Sequence, residues 1–296
     1  MKILLLGANG QIGWELQRSL APLGQIKNCD RHTLDIGNFE TLRRCMRDYR
    51  PEIIVNAAAY TAVDKAESER VKASLVNSEA VAVLADETKK LNAFLIHFST
   101  DYVFDGKKLN AYLEIDKTNP QSVYGKTKLQ GEEAIKKSEC NHLIFRTSWI
   151  YAARGVNFAK TIIKLAKEQD ELKVVDDQFG VPTSAELVAD ITALCLNQIA
   201  QENILISNVS GTYHLTPSGK TSWYGFAQYV ISESIRNGAS FLAQPENIIP
   251  ISTSDFPTPA RRPSNSQLNT QKFRDTFKLS LPPWQNHVKR LIVEIH

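Results

Sequence analysis

The chain has 296 residues, 43% of them hydrophobic and 23% charged. Those are the proportions of an ordinary globular protein, and the length suits one large domain with a smaller companion. A formal net charge of +3 is too small to predict a nucleic-acid or membrane partner, and no apolar run approaches the roughly 20 residues of a membrane-spanning helix. The four cysteines, Cys29, Cys45, Cys140 and Cys195, form no CxxC pair; this predicts reduced thiols in a cytoplasmic protein rather than a disulfide framework or a zinc site.

Residues 2–6 read as a buried strand. Gly7-Ala8-Asn9-Gly10-Gln11-Ile12-Gly13 follows, and then helical apolar spacing through Trp14, Leu16 and Leu20. Strand, glycine turn, helix is the setting in which a backbone closes on a pyrophosphate, with the free N–H groups of the helix facing the anion. Gly7, Gly10, Gln11, Ile12 and Gly13 are therefore candidate dinucleotide contacts. The spacing is GxxGxxG, which a turn built only for helix-strand packing would share. A second strand near 26–29 ends at Asp30, where an acid suits the free ribose hydroxyl of NAD. Arg31 beside it suits the extra phosphate of NADP, so the choice between NADH and NADPH stays open. Asp35 and Ile36 could flank the adenine, and a plain loop acid is the alternative.

A helix over 39–49 is stopped by Pro51, and a third strand over 52–56 runs into Ala57, Ala58 and Ala59. These small residues leave room for a cofactor crossing the carboxyl edge of the sheet, and plain packing is the alternative. Residues 61–91 read as largely helical. A fourth strand over 93–98, with His97 in its core, delivers Ser99-Thr100-Asp101-Tyr102 to the same edge. Thr100 there can cap the strand end or donate to a substrate oxygen. After the break at Asn119-Pro120 a helix carries Tyr124 and Lys128, four residues apart and so on one face. An ammonium near a phenol favours the phenolate, so the pair can act as a tuned proton donor for carbonyl reduction, with two neighbours on a solvated helix as the alternative. A strand over 142–147 then ends at Trp149, a core residue or a wall of the pocket.

This alternation predicts an α/β protein with a doubly wound parallel sheet. The dinucleotide-binding domain spans 1–150, and the chain returns to it around 170–200. Residues 151–296 are mainly a smaller α/β substrate domain. It is expected to hold a helix over 156–168, a strand over 172–175, a loop over 177–183 and a helix capped by Ser184. Short strands over 213–215 and 248–250, a helix over 222–236 and a closing helix from 284 complete it. Arg262 lies in the proline-stiffened stretch 256–263, where a guanidinium can take a phosphate in bidentate fashion or stay a solvated charge.

Taken together and in this order, the glycine turn, Ser99-Thr100 and the Tyr124/Lys128 pair resemble the extended short-chain dehydrogenase/reductase family. The likeness covers nearly the whole chain. Its more specific stretches are 10–16, 56–67, Ser99-Thr100-Asp101-Tyr102-Val103-Phe104, 145–149, Asp177-Gln178-Phe179-Gly180-Val181-Pro182-Thr183 and 262–269. The resemblance implies a Rossmann-like fold and hydride transfer from NADPH or NADH to the 4-keto carbon of dTDP-4-dehydro-L-rhamnose. The product, dTDP-L-rhamnose, serves cell-surface polysaccharide. It also implies roles: Tyr124 protonates the oxygen, Lys128 holds the nicotinamide ribose and depresses the Tyr124 pKa, and Thr100 hydrogen-bonds the reacting oxygen. Asp101, Tyr102, Trp149 and Arg262 then surround the nucleotide sugar, and Glu15, Glu186 and Glu294 hold magnesium between the subunits of a homodimer. Two rivals share the motifs: another nucleotide-sugar reductase or epimerase, and a non-enzymatic regulatory subunit related to that of methionine adenosyltransferase.

Overall fold

The first half of the chain forms five strands, β1 (Lys2–Leu6), β2 (Gln25–Cys29), β3 (Ile53–Asn56), β4 (Phe94–Thr100) and β5 (Asn141–Thr147). The computed structural model describes residues 1–201 and 206–295. β3 and β4 are buried at every position, because helices cover both faces of the sheet. A sixth strand, Gly211–His214, joins beside β5, and the order is Gly211–His214, β5, β4, β3, β1, β2, with every neighbouring pair parallel. β1 thus has β2 on one side and β3 on the other. The winding reverses there, and the reversal opens a crevice beyond the carboxyl ends of β1 and β3.

Successive strand residues point to opposite faces. Ile3, Leu5, Val55 and Ile96 pack with Leu16 and Leu20 of α1 (Gln11–Leu20), with the helix Ala185–Ala200, and with Phe273 and Phe277. Leu4, Leu6, Ile54 and Leu95 pack with Leu42 and Met46 of α2 (Phe39–Tyr49), with the helix Ala80–Lys90, and with Ile135 of the helix Val123–Ser138. A separate apolar core draws on Tyr151, Ile162, Val174, Phe226, Val230, Trp284 and Leu291. Its short strand Leu172–Val175 pairs with Ile248–Ile251 and not with the main sheet.

The strand expected near 213–215 is therefore an edge strand of the main sheet, and the chain reaches that sheet again with Gln271–Phe277. The region expected as largely helical from 61 to 91 is broken into Val63–Ala66, Arg70–Ser74, a π turn at Leu75–Glu79 and Ala80–Lys90. Asn77 inside the π turn explains the break: its side chain takes Tyr60 N at 2.8 Å and gives to Tyr60 O at 3.0 Å, which ties the turn to the end of the alanine stretch. Among the described residues no helix is long and apolar enough to cross a membrane.

Candidate active site

The glycine turn is built by close approach. Gly7 has φ +77°, and a Cβ there would sit 2.6 Å from Ala58 N; a Cβ on Gly13 would sit 2.1 Å from Gly7 O. Ala8 N reaches across to Cys29 O at 3.0 Å, locking the turn to β2. Gly10 is the N-cap of α1, with no side-chain cap and no acid in the first turn. The helix therefore offers its first N–H groups to an anion, and the residues present fit the pyrophosphate of a dinucleotide.

Two cavities meet at this turn. One, of about 330 Å³, is lined by Gly7, Gly10, Asp30, Arg31, Asp35, Ile36 and Ala57 to Ala59. The Asp30 carboxylate accepts from Thr33 N at 2.9 Å and from His32 N at 3.0 Å, and it also bonds Asn9. Hydrogen bonds from Thr33 hold it below the ordinary carboxylate range. Arg31 stands exposed beside it, and Lys72, Leu75 and Val76 close the far side.

The other cavity, of about 420 Å³, is lined by Gln11, Ile12, Ala57 to Ala59, Thr100, Asp101, Tyr102, Tyr124, Lys128 and Trp149. Ser122 caps the helix Val123–Ser138, accepting from Gly125 N at 3.1 Å, and so sets Tyr124 in its first turn. Thr100 ends β4, where its hydroxyl takes Tyr102 N at 3.1 Å as a cap, and the residue also lines the cavity. It also donates to Asp101 Oδ1 at 2.9 Å. Burial pushes the Asp101 carboxyl up to about 7. Tyr102 meets the Tyr124 ring edge-on, with centroids 6.0 Å apart.

The expected depression of the Tyr124 pKa is not what this arrangement produces. Burial pushes the phenol up to about 12, and its hydrogen bond with Thr100 pulls only partly back. The Lys128 hydrogen bonds run elsewhere: Nζ donates to Phe98 O at 2.6 Å and lies 3.2 Å from His97 Nε2. Burial brings Lys128 itself down to about 8, with Glu132 opposing.

Trp149 adopts φ +46°, a left-handed conformation costly for so bulky a residue. Stacking holds it there. Its ring lies 3.6 Å from that of Trp223 at 11°, and a Cβ on Gly180 would meet it at 2.6 Å. Trp223 and Val156 complete this wall. Neither was singled out from the sequence, where Trp223 carries only a helical spacing and a preceding Ser222 cap.

Arg262 is not among the residues lining either cavity. Its guanidinium is bidentate on Asp64, at 2.7 and 3.2 Å, which pins the stretch 256–263 to the helix Val63–Ala66. The expected phosphate contact is thus replaced in this state by a carboxylate of matching geometry. Glu15, Glu186 and Glu294 do share one neighbourhood: burial raises the Glu15 carboxyl, Arg18 opposes, and the other two add to the rise. Arg290 Nε, however, holds both oxygens of Glu186 at 2.7 and 2.8 Å. Among the described residues no group of three His, Cys, Asp or Glu could hold a metal ion. The magnesium set expected from the resemblance is therefore not formed within one chain.

Residues 1–296 match the family described as RmlD substrate binding domain. A dTDP-4-dehydrorhamnose reductase of Escherichia coli (strain K12) is 50% identical over 299 residues, covering 100% of this chain and 98% of that protein. The crystal structure of a dTDP-4-dehydrorhamnose reductase from Clostridium acetobutylicum superposes with a TM-score of 0.90 at 37% identity, covering 100% of this chain and 99% of that one. That of the Bacillus anthracis reductase, in complex with NADP, gives 0.88 at 34% identity, with 99% of each chain covered. Full-length identity of this order, on the same sheet and the same turn, makes the chain a member of the dTDP-4-dehydrorhamnose reductase family.

Proposed function

We infer that the protein is an NAD(P)H-dependent oxidoreductase that reduces the 4-keto group of dTDP-4-dehydro-L-rhamnose to give dTDP-L-rhamnose. The observation that carries this reading is the meeting of Thr100, Tyr124 and Lys128 in one cavity that opens onto the glycine turn. Family membership supplies the substrate.

Bound NAD(P)H supplies the hydride to the carbonyl carbon. The chain's own residues supply the rest. Tyr124, protonated at neutral pH as any phenol is and kept so by burial, gives its proton to the developing alkoxide. Thr100 turns its hydroxyl from Asp101 to the same oxygen. Lys128 anchors the ribose next to the nicotinamide. The stacked Trp149 and Trp223 form an apolar wall against which a sugar ring can lie. Asp101 and Tyr102 bind substrate from the turn after β4. At the other end, Asp30 takes a free ribose hydroxyl and exposed Arg31 a phosphate, so both NADH and NADPH serve. Following NADPH oxidation with dTDP-4-dehydro-L-rhamnose, and identifying the product, tests the reading. Absence of turnover would favour a binding protein, and an epimerised keto sugar would favour an epimerase.

A further inference from the structure

Beneath Lys128 runs a buried hydrogen-bond chain whose donors can be assigned one at a time. The backbone N–H of Ala58 can only donate, and it meets Asn56 Oδ1 at 3.1 Å. That orients the amide, so Asn56 Nδ2 faces His97 Nδ1 at 3.1 Å and donates to it. A neutral imidazole carries a single N–H. Burial holds His97 well below its ordinary pKa, so the ring is neutral and its one proton sits on Nε2. Nε2–H then points at Lys128 Nζ, 3.2 Å away, where only a lone pair can receive it. Nζ in turn donates to Phe98 O at 2.6 Å.

An ammonium has no lone pair. Protonating Lys128 sets Nζ–H against Nε2–H unless His97 moves its proton to Nδ1. The new Nδ1–H then opposes Asn56 Nδ2, and flipping Asn56 turns its NH₂ onto the N–H of Ala58. Asn56, His97 and Lys128 are 1%, 0% and 1% exposed, so bulk water cannot relieve the mismatch. The other charged groups facing the chain are accounted for. Glu132, one turn along the helix from Lys128, is held by Arg146 of β5, Ser99 of β4 and Lys136. His142 of β5 adds a field at His97, and Asp101 acts on Tyr124.

We propose that His97 is a positioning residue that couples the charge of Lys128 to the ring tautomer set by Asn56 and Ala58. With Nε2–H the amine is neutral; with Nδ1–H it is charged. Ala58 lines both cavities, so the strand end that a dinucleotide must cross is linked directly to the protonation of Lys128. The coupling belongs to the cofactor-free chain and holds whichever keto sugar is reduced.

The test uses the full chain without cofactor. With ¹⁵N-labelled histidine, the ring-nitrogen pattern of His97 at pH values above the measured Lys128 midpoint should be the Nε2–H tautomer. It should convert to Nδ1–H as Lys128 titrates. With ¹³Cε-labelled lysine, the Lys128 signal is assigned by its loss in Lys128→Met. His97→Gln places a carboxamide oxygen toward Nζ, which can accept from the ammonium. The Lys128 midpoint should then rise by at least about one pH unit, a tenfold change in its protonation equilibrium. An Nδ1–H ring above the measured Lys128 midpoint, or an unchanged midpoint in folded His97→Gln, overturns the proposal. If His97→Gln does not fold, the tautomer of the unsubstituted protein decides alone.

Discussion

Glu132→Gln keeps a side chain's shape and removes its charge at the point where the helix Val123–Ser138 is tied to the sheet. The Glu132 carboxylate is fully buried and takes Arg146 Nε at 2.9 Å, Arg146 Nη2 at 2.7 Å and Ser99 Oγ at 2.5 Å. A glutamine can accept at one atom only, and its NH₂ then faces an N–H of Arg146. Arg146 is itself 2% exposed, packs over the Phe104 ring at 5.1 Å and already leaves Nη1 without a partner. Removing one member of such a buried pair costs about 3–5 kcal/mol. With an unfolding entropy of roughly 2.1 cal/mol/K per residue, the 296 residues convert that loss to a fall in Tm of about 5–8 °C. Ser99 adjoins Thr100, and Glu132 lies one turn from Lys128, so activity should fall as well, though less than stability. Thermal and urea unfolding of the variant beside the wild type provide the measurement. A Tm change under about 2 °C would refute the argument that this pair anchors the catalytic helix.

Tyr124→Phe removes the proton donor and keeps the ring; kcat should fall roughly a hundredfold to ten-thousandfold with little change in NADPH affinity, and near wild-type turnover would sink the assignment. Asp101 provides a pH test, because burial pushes its carboxyl up to about 7, well above the roughly 3.9 of a free aspartate. Between those values the native state holds a proton that the unfolded chain has lost, so stability falls as pH rises through this window. Asp101→Asn cannot take part, so relative to wild type it should gain about 1–3 kcal/mol between about pH 5 and 8; an equal difference at both pH values would show that the carboxyl is not raised. Arg262→Ala should raise KM for the nucleotide sugar roughly tenfold or more. Asp64→Asn, which frees Arg262, distinguishes the reasons: a parallel rise means that the ion pair positions the loop, whereas a lower KM means that Arg262 binds diphosphate directly. Arg31→Ala should weaken NADPH more than NADH, and equal losses would show that Arg31 does not read the phosphate.

Much of the fold was legible because its signals are local. Residues 3–6 are apolar without a break, the pattern of a strand covered on both faces, and the glycines that follow permit the turn that closes on Ala57 and Ala58. Ser122 before Tyr124 marks a helix start, and the four-residue spacing to Lys128 fixes a shared face wherever that helix lies. What the local pattern leaves open is pairing. The strand Gly211–His214 reads like any other short strand, and its place beside β5 depends on which edge is left open after the helices have packed.

The chemistry of single residues divides the same way. Sequence alone determined which groups could do chemistry and their order along the chain: the glycine turn, Thr100, Tyr124 and Lys128. Tertiary structure alone decided their protonation and their partners. Tyr124 is raised rather than lowered because burial outweighs any help from Lys128, whose Nζ is turned to Phe98 and His97. Arg262 meets Asp64 across 198 residues of sequence, and Trp149 stacks on Trp223 of a helix remote from it in the chain. A side chain's pKa and its choice of partner depend on desolvation and on distances of a few ångströms between segments remote in sequence. Those quantities exist only once the chain has packed.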